Sequence, residues 1–485
     1  MEQYTASPSS AGRSRRKRLF VFVFVIAALL QAVPSVEGAP ADRHSRFESP
    51  ELKVAPKEDW TVHFIPSEPS YKLANAEPVE GVYLGAYVLQ DAAIGYSMHA
   101  FNERTGKQHA SFFKYVGFGK PFPSEWVEEV KAVGAFPHIA WEPNKGLDEV
   151  KDAAYIRSFA EQAKQAGVPV FLRFASEMNG TWTNYSGDPE AYKRSWRMVH
   201  NLFAEHAPNV VMVWTVLTFP MRTIESFYPG DAYVDWVGVN VYNVKYHNGD
   251  KVHQASDEDP LDLINYVYNR FSRTKPIQLS EFGVTHYNTT DGQKDNSFAI
   301  NRISRLYRHL RNDYPRVKAV FYFDVNNVEA YNEARKVNDY SITSDQELLE
   351  AYRKATESEH FLSKMPDAQS LPKEPVEQRF TYRGYVFREN GITYVDEQFF
   401  SRVMQLQVKL GQDRSGAQTA RIFHKDGTMA AMAPVKVIQR KIWTGTKTRD
   451  QRLIYRNVQA LPLKQTAKGI GYEVNLYGNN IYIQE

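Results

Sequence analysis

At 485 residues the chain exceeds an ordinary single domain and can hold a barrel of about 250 residues plus a smaller unit. The absence of cysteine excludes disulfides, thiolate nucleophiles, zinc–cysteine sites and iron–sulfur clusters. The formal charge of +3 belongs to residues 1–38, which hold five Lys/Arg and two Asp/Glu and leave 54 of each sign in the rest, so charge gives no reason to expect nucleic acid as a partner.

The chain begins with a basic cluster, Arg13, Arg15, Arg16, Lys17 and Arg18, followed by an apolar run over 19–33. Small residues then precede Ala39. This order is that of a cleaved signal peptide over 1–38, and it implies a secreted or cell-wall-associated protein. An uncleaved signal-anchor is the alternative, but fifteen residues are short for a membrane span. Residues 39–75 carry five prolines and read as a polar leader packed loosely against the first domain.

From Gly81 the sequence alternates between short β-branched or aromatic runs and helical patterns. The runs at 82–87, 110–116, 135–141, 168–175, 209–216, 234–242, 276–280 and 317–325 are expected strands. Helices are expected at 123–133, 153–166, 189–206, 262–273, 295–313 and 344–356. Near-continuous apolar strands separated by helices mean parallel strands buried on both faces. A doubly wound open sheet is the competitor, and eight repeats over about 275 residues favour an α/β (β/α)₈ barrel spanning 76–356. Residues 357–378, with three prolines among charges, read as a linker. Residues 379–485 read as a small α+β domain, with helical stretches at 398–410 and 463–469 and a weak strand–helix–strand-pair duplication.

Catalytic groups of such barrels lie at the C-terminal ends of the strands. Glu177 follows the fourth expected strand and Glu281 the seventh. Either one alone is more readily a solvated or Arg-paired rim residue. Two on one barrel mouth form the carboxylate pair that glycoside hydrolysis requires, one protonated and one ionised. Trp141, Trp182, Tyr185, Tyr242 and Tyr287 are candidate stacking faces for sugar rings, and Asn179 and Asn240 candidate partners for hydroxyls. The scattered histidines show no metal-ligand spacing, so no metal or cofactor is expected.

The string Arg173-x-x-x-Glu177-Met178-Asn179-Gly180-x-Trp182 resembles the acid/base signature of glycoside hydrolase family 26. Glu281 within Leu279-Ser280-Glu281-Phe282-Gly283 is similar to its nucleophile motif. The likeness extends over roughly residues 80–355 and includes Trp214 and the run from Val239 to Tyr242. It implies a retaining, endo-acting β-glycosidase on β-mannan or β-glucan, with Glu177 as acid/base and Glu281 as nucleophile. Tyr242 is then expected to orient Glu281, and Arg173, Asn179, Trp182, Trp141 and Trp214 to serve the substrate site. The chain departs from that pattern at Ser176, where a His is usual. It departs again at Trp141-Glu142-Pro143, where mannan-cleaving members tend to show Trp-His, and at a strand-eight ending, Phe321 to Asp324, that lacks Trp. The strand-three pattern is nearer to members acting on β-glucans.

In the C-terminal region, the run from Ala460 to Ala467 with Gly471-Tyr472-Glu473-Val474 resembles the stalk-type module named after the N-terminal domain of copper amine oxidases. That resemblance implies a spacer or wall-binding module and no copper. A monomer with a polysaccharide substrate, and with the cell wall as a further partner, is the resulting expectation. A catalytically silent barrel that binds wall or capsular polysaccharide is the alternative.

Overall fold

The computed structural model describes residues 59–67, 71–329, 336–366, 372, 374–442 and 454–485. The expected signal peptide and most of the expected leader lie outside the described residues.

Eight parallel strands form in the expected order: Val82–Gln90, Ser111–Gly117, Phe136–Glu142, Val170–Phe174, Val210–Leu217, Trp236–Asn243, Ile277–Val284 and Val317–Val325. They are called the first to eighth barrel strands below. The eighth pairs with the first, Ala319 opposite Tyr83 and Phe323 opposite Tyr87, so the sheet closes on itself and the open-sheet alternative falls. Helices cover the outside, and five of them start from an aspartate whose side chain accepts backbone N–H bonds: Asp152, Asp188, Asp259, Asp295 and Asp345. Such caps contribute about 1 kcal/mol each and explain why these helix starts were legible. The helix Met98–Thr105, begun by Ser97, has no counterpart in the sequence reading.

The two ends of the barrel are filled differently. At the N-terminal floor, Tyr83, Phe136, Phe171 and Trp236 close a ring of aromatic contacts, with centroids 4.9 to 6.5 Å apart. Residues 71–79 run beneath it, held by Trp236 donating to Asn75 O and Tyr83 donating to Ala76 O. Towards the mouth the interior turns polar. Gly238 on the sixth strand lets Thr215 and Ser280 meet across it at 3.1 Å, and a Cβ there would lie 2.3 Å from both hydroxyls.

Two expected segment boundaries and one expected helix differ. Thr61–Ile65, placed by the sequence in a loose leader, is a strand between Phe380–Arg383 and Asn480–Gln484, with Val62 and Phe64 buried among Tyr382, Ile481 and Ile483. Thr61 to Phe64 are all buried, so the strand is covered on both faces, and the prolines around it hid that signal. Within the expected linker, Phe361–Leu362 pairs with the base of the first barrel strand, and Phe361 packs on Tyr307. In the second domain the expected helix at 398–410 lasts one turn, Phe399–Val403, before Gln407–Gln412 forms a strand. Gln405 adopts φ +57° between them, which no continuing helix allows. The helix Leu463–Ile470 lies where the sequence put it. The second domain is otherwise β-rich.

That domain is joined to the barrel by buried polar contacts rather than by a free hinge. Arg383 pairs with Asp313 at 2.5 Å, Thr61 donates to the same carboxylate, and Tyr268 and Thr381 share a hydrogen bond of 2.9 Å.

Candidate active site

The fourth strand ends in a strained turn. Ala175 and Glu177 take φ of +47° and +60°, a left-handed conformation that costs a non-glycine residue about 1–3 kcal/mol. The neighbouring strands hold it there. Ala175 N donates to Trp141 O, Glu177 N to Thr215 O, and Ser176 N to the Glu142 carboxylate. The effect is to aim the Glu177 side chain into the mouth rather than along the rim.

Glu281, on the seventh strand and 3% exposed, faces three donors. Arg173 reaches one oxygen at 2.5 Å, Tyr115 reaches the same oxygen at 2.5 Å, and Tyr242 donates to the other. A guanidinium and two hydroxyls form a set suited to a negative carboxylate. Glu177 has different company. It accepts from Asn240 at 2.7 Å and from the Trp182 indole at 3.1 Å. Burial, reinforced by the field of Glu281, pushes its carboxyl up to about 7. Asn240 and Glu281 are register partners on adjacent strands, so the two carboxylates share one end of the barrel. The arrangement can keep one carboxyl protonated near neutral pH beside one stabilised as an anion.

Several expected substrate residues lie elsewhere. Trp141 is fully buried, stacked on Phe159 at 4.3 Å and Phe118 at 4.7 Å, because its strand position points outward under the helices. Trp214 is likewise buried, against Tyr228 and Phe271. Neither ring can stack on a sugar. Asn179 is 1% exposed, with its amide bonded to Leu217 through both its oxygen and its nitrogen, so it braces the loop and lies out of reach of a substrate hydroxyl. Arg173 and Tyr242 sit on Glu281, as above. Trp182, 46% exposed, lies at the mouth with its ring over Gly180.

Sequence reasoning missed Tyr115 and the part played by Glu142. Tyr115 occupies an inward position of the second strand at the mouth end, and the alternation of Ser111, Phe113 and Tyr115 carried that signal. Among the described residues no group of three His, Asp or Glu side chains could hold a metal ion.

Residues 143–313 match the model of Glycosyl hydrolase family 26. The family 26 match spans the fourth to seventh strands and so contains both Glu177 and Glu281. Endoglucanase H of Acetivibrio thermocellus is 27% identical over 296 residues, 57% of this chain and 30% of that protein. A mannan endo-1,4-beta-mannosidase of Bacillus subtilis is 27% identical over 157 residues, 30% of this chain and 38% of its own length. The chain therefore spans about a third of these curated relatives. Among solved structures, a modular endo-beta-1,4-mannanase from Cellulomonas fimi is 14% identical, covers 80% of this chain and 90% of its own, and gives a TM-score of 0.47.

Proposed function

We propose that the chain is a retaining β-glycosidase acting within β-linked polysaccharides, with Glu281 as nucleophile and Glu177 as acid/base. The observation that carries this reading is the unequal treatment of two carboxylates at one barrel mouth, Glu281 ringed by donors and Glu177 held up to about 7. In the first step Glu281 attacks the anomeric carbon while Glu177 protonates the departing glycosidic oxygen. In the second, Glu177, now a base, takes a proton from the water that releases the glycosyl group from Glu281. Arg173, Tyr115 and Tyr242 fix the attacking oxygens, and Trp182 offers an exposed face beside the acid. The two curated relatives are named for glucan and mannan cleavage, which supports these two polymer classes as candidates. Export through the N-terminal segment, and a stalk-like spacing role for residues 379–485, belong to the same proposal.

The test is hydrolysis of β-mannan, mixed-linkage β-glucan, β-1,3-xylan and β-1,3-glucan, with the anomeric configuration of the first product followed by NMR. Short oligosaccharides with retained configuration are expected from one of them. Binding to a polysaccharide with no cleavage of any would sink the enzyme reading and favour an attachment role.

A further inference from the structure

The residue before Glu177 is a serine, and what surrounds it assigns a task to a third carboxyl group. Glu142 ends the third strand. Its Oε1 accepts from Ser176 Oγ at 2.8 Å and its Oε2 from Ser176 N at 3.0 Å. The Tyr185 hydroxyl lies 2.8 Å from Glu142 Oε2 and also 2.8 Å from Ser176 O. Tyr185 has one proton to give, yet both neighbours would have to accept it if Glu142 were ionised. Ser176 O is a carbonyl and can only accept. The pattern closes without conflict when Tyr185 donates to Ser176 O and a proton on Glu142 Oε2 is donated to Tyr185.

We infer that Glu142 is a neutral carboxylic acid in the resting protein and, through Ser176 and Tyr185, the positioning residue that holds the strained turn carrying Glu177. This rests on the assignment of Glu177 above. Burial also pushes the Glu142 carboxyl up, in the same direction. The ionisable groups facing it are Arg173 and Glu177 from the fourth strand and its turn, Tyr185 from the loop that follows, and Tyr192 from the helix Pro189–His206. Burial outweighs what favours a charge on Glu142, namely the hydrogen bonds with Ser176 and Tyr185 and the field of Arg173. Arg173 is already engaged at 2.5 Å by Glu281. A neutral Glu142 adds no negative charge beside Glu177, whose own proton is then set by burial and Glu281. A carboxylic acid would in this way do the orienting work at the position preceding Glu177 without bringing a second titrating group near neutrality.

Two measurements test this, and the first does not depend on activity. Infrared spectra of the full chain at pH 8.5, above the range in which Glu177 holds its proton, should show a protonated-carboxyl C=O band. Glu142→Gln should remove one component of it, the buried Asp324 carboxyl, also pushed up by burial, being the other source, and Glu177→Gln should keep both. A band absent from the wild type, or unchanged in Glu142→Gln, would overturn the neutral assignment whether or not any substrate is cleaved. The second measurement is kinetic. Glu142→Ala should lower kcat by at least about tenfold with KM changed less than threefold, since proton donation and not binding needs the turn. Glu142→Gln, which can still donate to Tyr185 and accept from Ser176 Oγ but turns an amide N–H towards Ser176 N, should recover part of that loss with the alkaline limit of the wild type. Equal losses in the two variants, or an alkaline limit moved to lower pH in Glu142→Gln, would show that Glu142 carries a charge or merely fills space.

Discussion

Among its described residues the barrel contains two buried glutamate–arginine pairs, one at each end, with the same 2.5 Å contact and opposite uses. At the floor, Arg316 meets Glu77 with both side chains fully buried. Glu77 also accepts from Tyr71 and Ala74 N, while Arg316 donates to Ser272 O and lies 3.7 Å over the Tyr71 ring. Among the described residues no second carboxylate shares that site, and the pair ties residues 71–79 to the barrel. At the mouth, Arg173 meets Glu281, but Glu177 stands nearby and is raised by burial and then by Glu281. An ion pair is therefore no mark of a working site. A second carboxyl group whose proton affinity is displaced by the first is such a mark.

The sharpest way to break this comparison is to remove the anion at the mouth. Glu281→Ala should lower hydrolysis on the order of a thousandfold or more, since no other group can form the glycosyl-enzyme. Azide should restore turnover, with a glycosyl azide of inverted configuration, because the small anion enters from the vacated face. Rescue with retained configuration would reassign the nucleophile. The equivalent lesion at the floor should read out as stability. Arg316→Met leaves Glu77 buried and unpaired, which costs about 3–5 kcal/mol. Urea unfolding should show that loss while kcat/KM stays at the wild-type value. A fall in kcat/KM without a fall in stability would mean that the floor reaches the site after all.

The displaced proton gives a third prediction, with two readouts. Glu177 in the folded chain holds its proton to about 7, against 4.5 for an ordinary glutamate. Above about pH 7, kcat/KM should fall tenfold per unit as the acid is lost. Between those two values the native state binds a proton that the unfolded chain has released, so stability drains as pH rises through that window. Glu177→Gln has no such proton. The unfolding midpoint of the wild type should therefore decline relative to Glu177→Gln from pH 4.5 to 7, and parallel profiles would refute the raised affinity.

The same contrast explains what the sequence could disclose. Barrel strands were legible because residues buried on both faces leave apolar runs, and helix starts because aspartate caps are local. Glu177 and Glu281 were legible because each follows such a run. Trp141 and Trp214 were misassigned for a related reason: a tryptophan in a barrel strand reads alike whether its ring faces the interior or the helices, and one residue of register decides which. The contacts of Glu142 and Tyr115 were not legible, since Glu142 meets the turn after the neighbouring strand and Tyr115 reaches a carboxylate 166 residues away. Nor was the strand Thr61–Ile65, whose partners lie more than 300 residues away.

The smallest expected effect isolates the exposed indole beside the acid. Gly180 has no need of a left-handed backbone, so alanine is tolerated by its dihedrals. Its Cβ would nevertheless stand 2.2 to 2.6 Å from three atoms of the Trp182 ring. The ring must move, and because it is 46% exposed it can swing outward without unpacking the core. That movement breaks the 3.1 Å bond from the indole to Glu177. Gly180→Ala should therefore keep wild-type stability and lose about tenfold in kcat/KM, the worth of one hydrogen bond to a charged group. Its alkaline limit should also shift upward, because a donor that favours the ionised form of Glu177 has gone. Trp182→Phe separates the two services of that side chain, keeping an aromatic face while deleting the N–H. If the pH limit moves equally in both variants and only Gly180→Ala raises KM, the N–H tunes the acid and the ring binds the sugar. A limit that stays fixed in both would show that Trp182 serves as a platform alone.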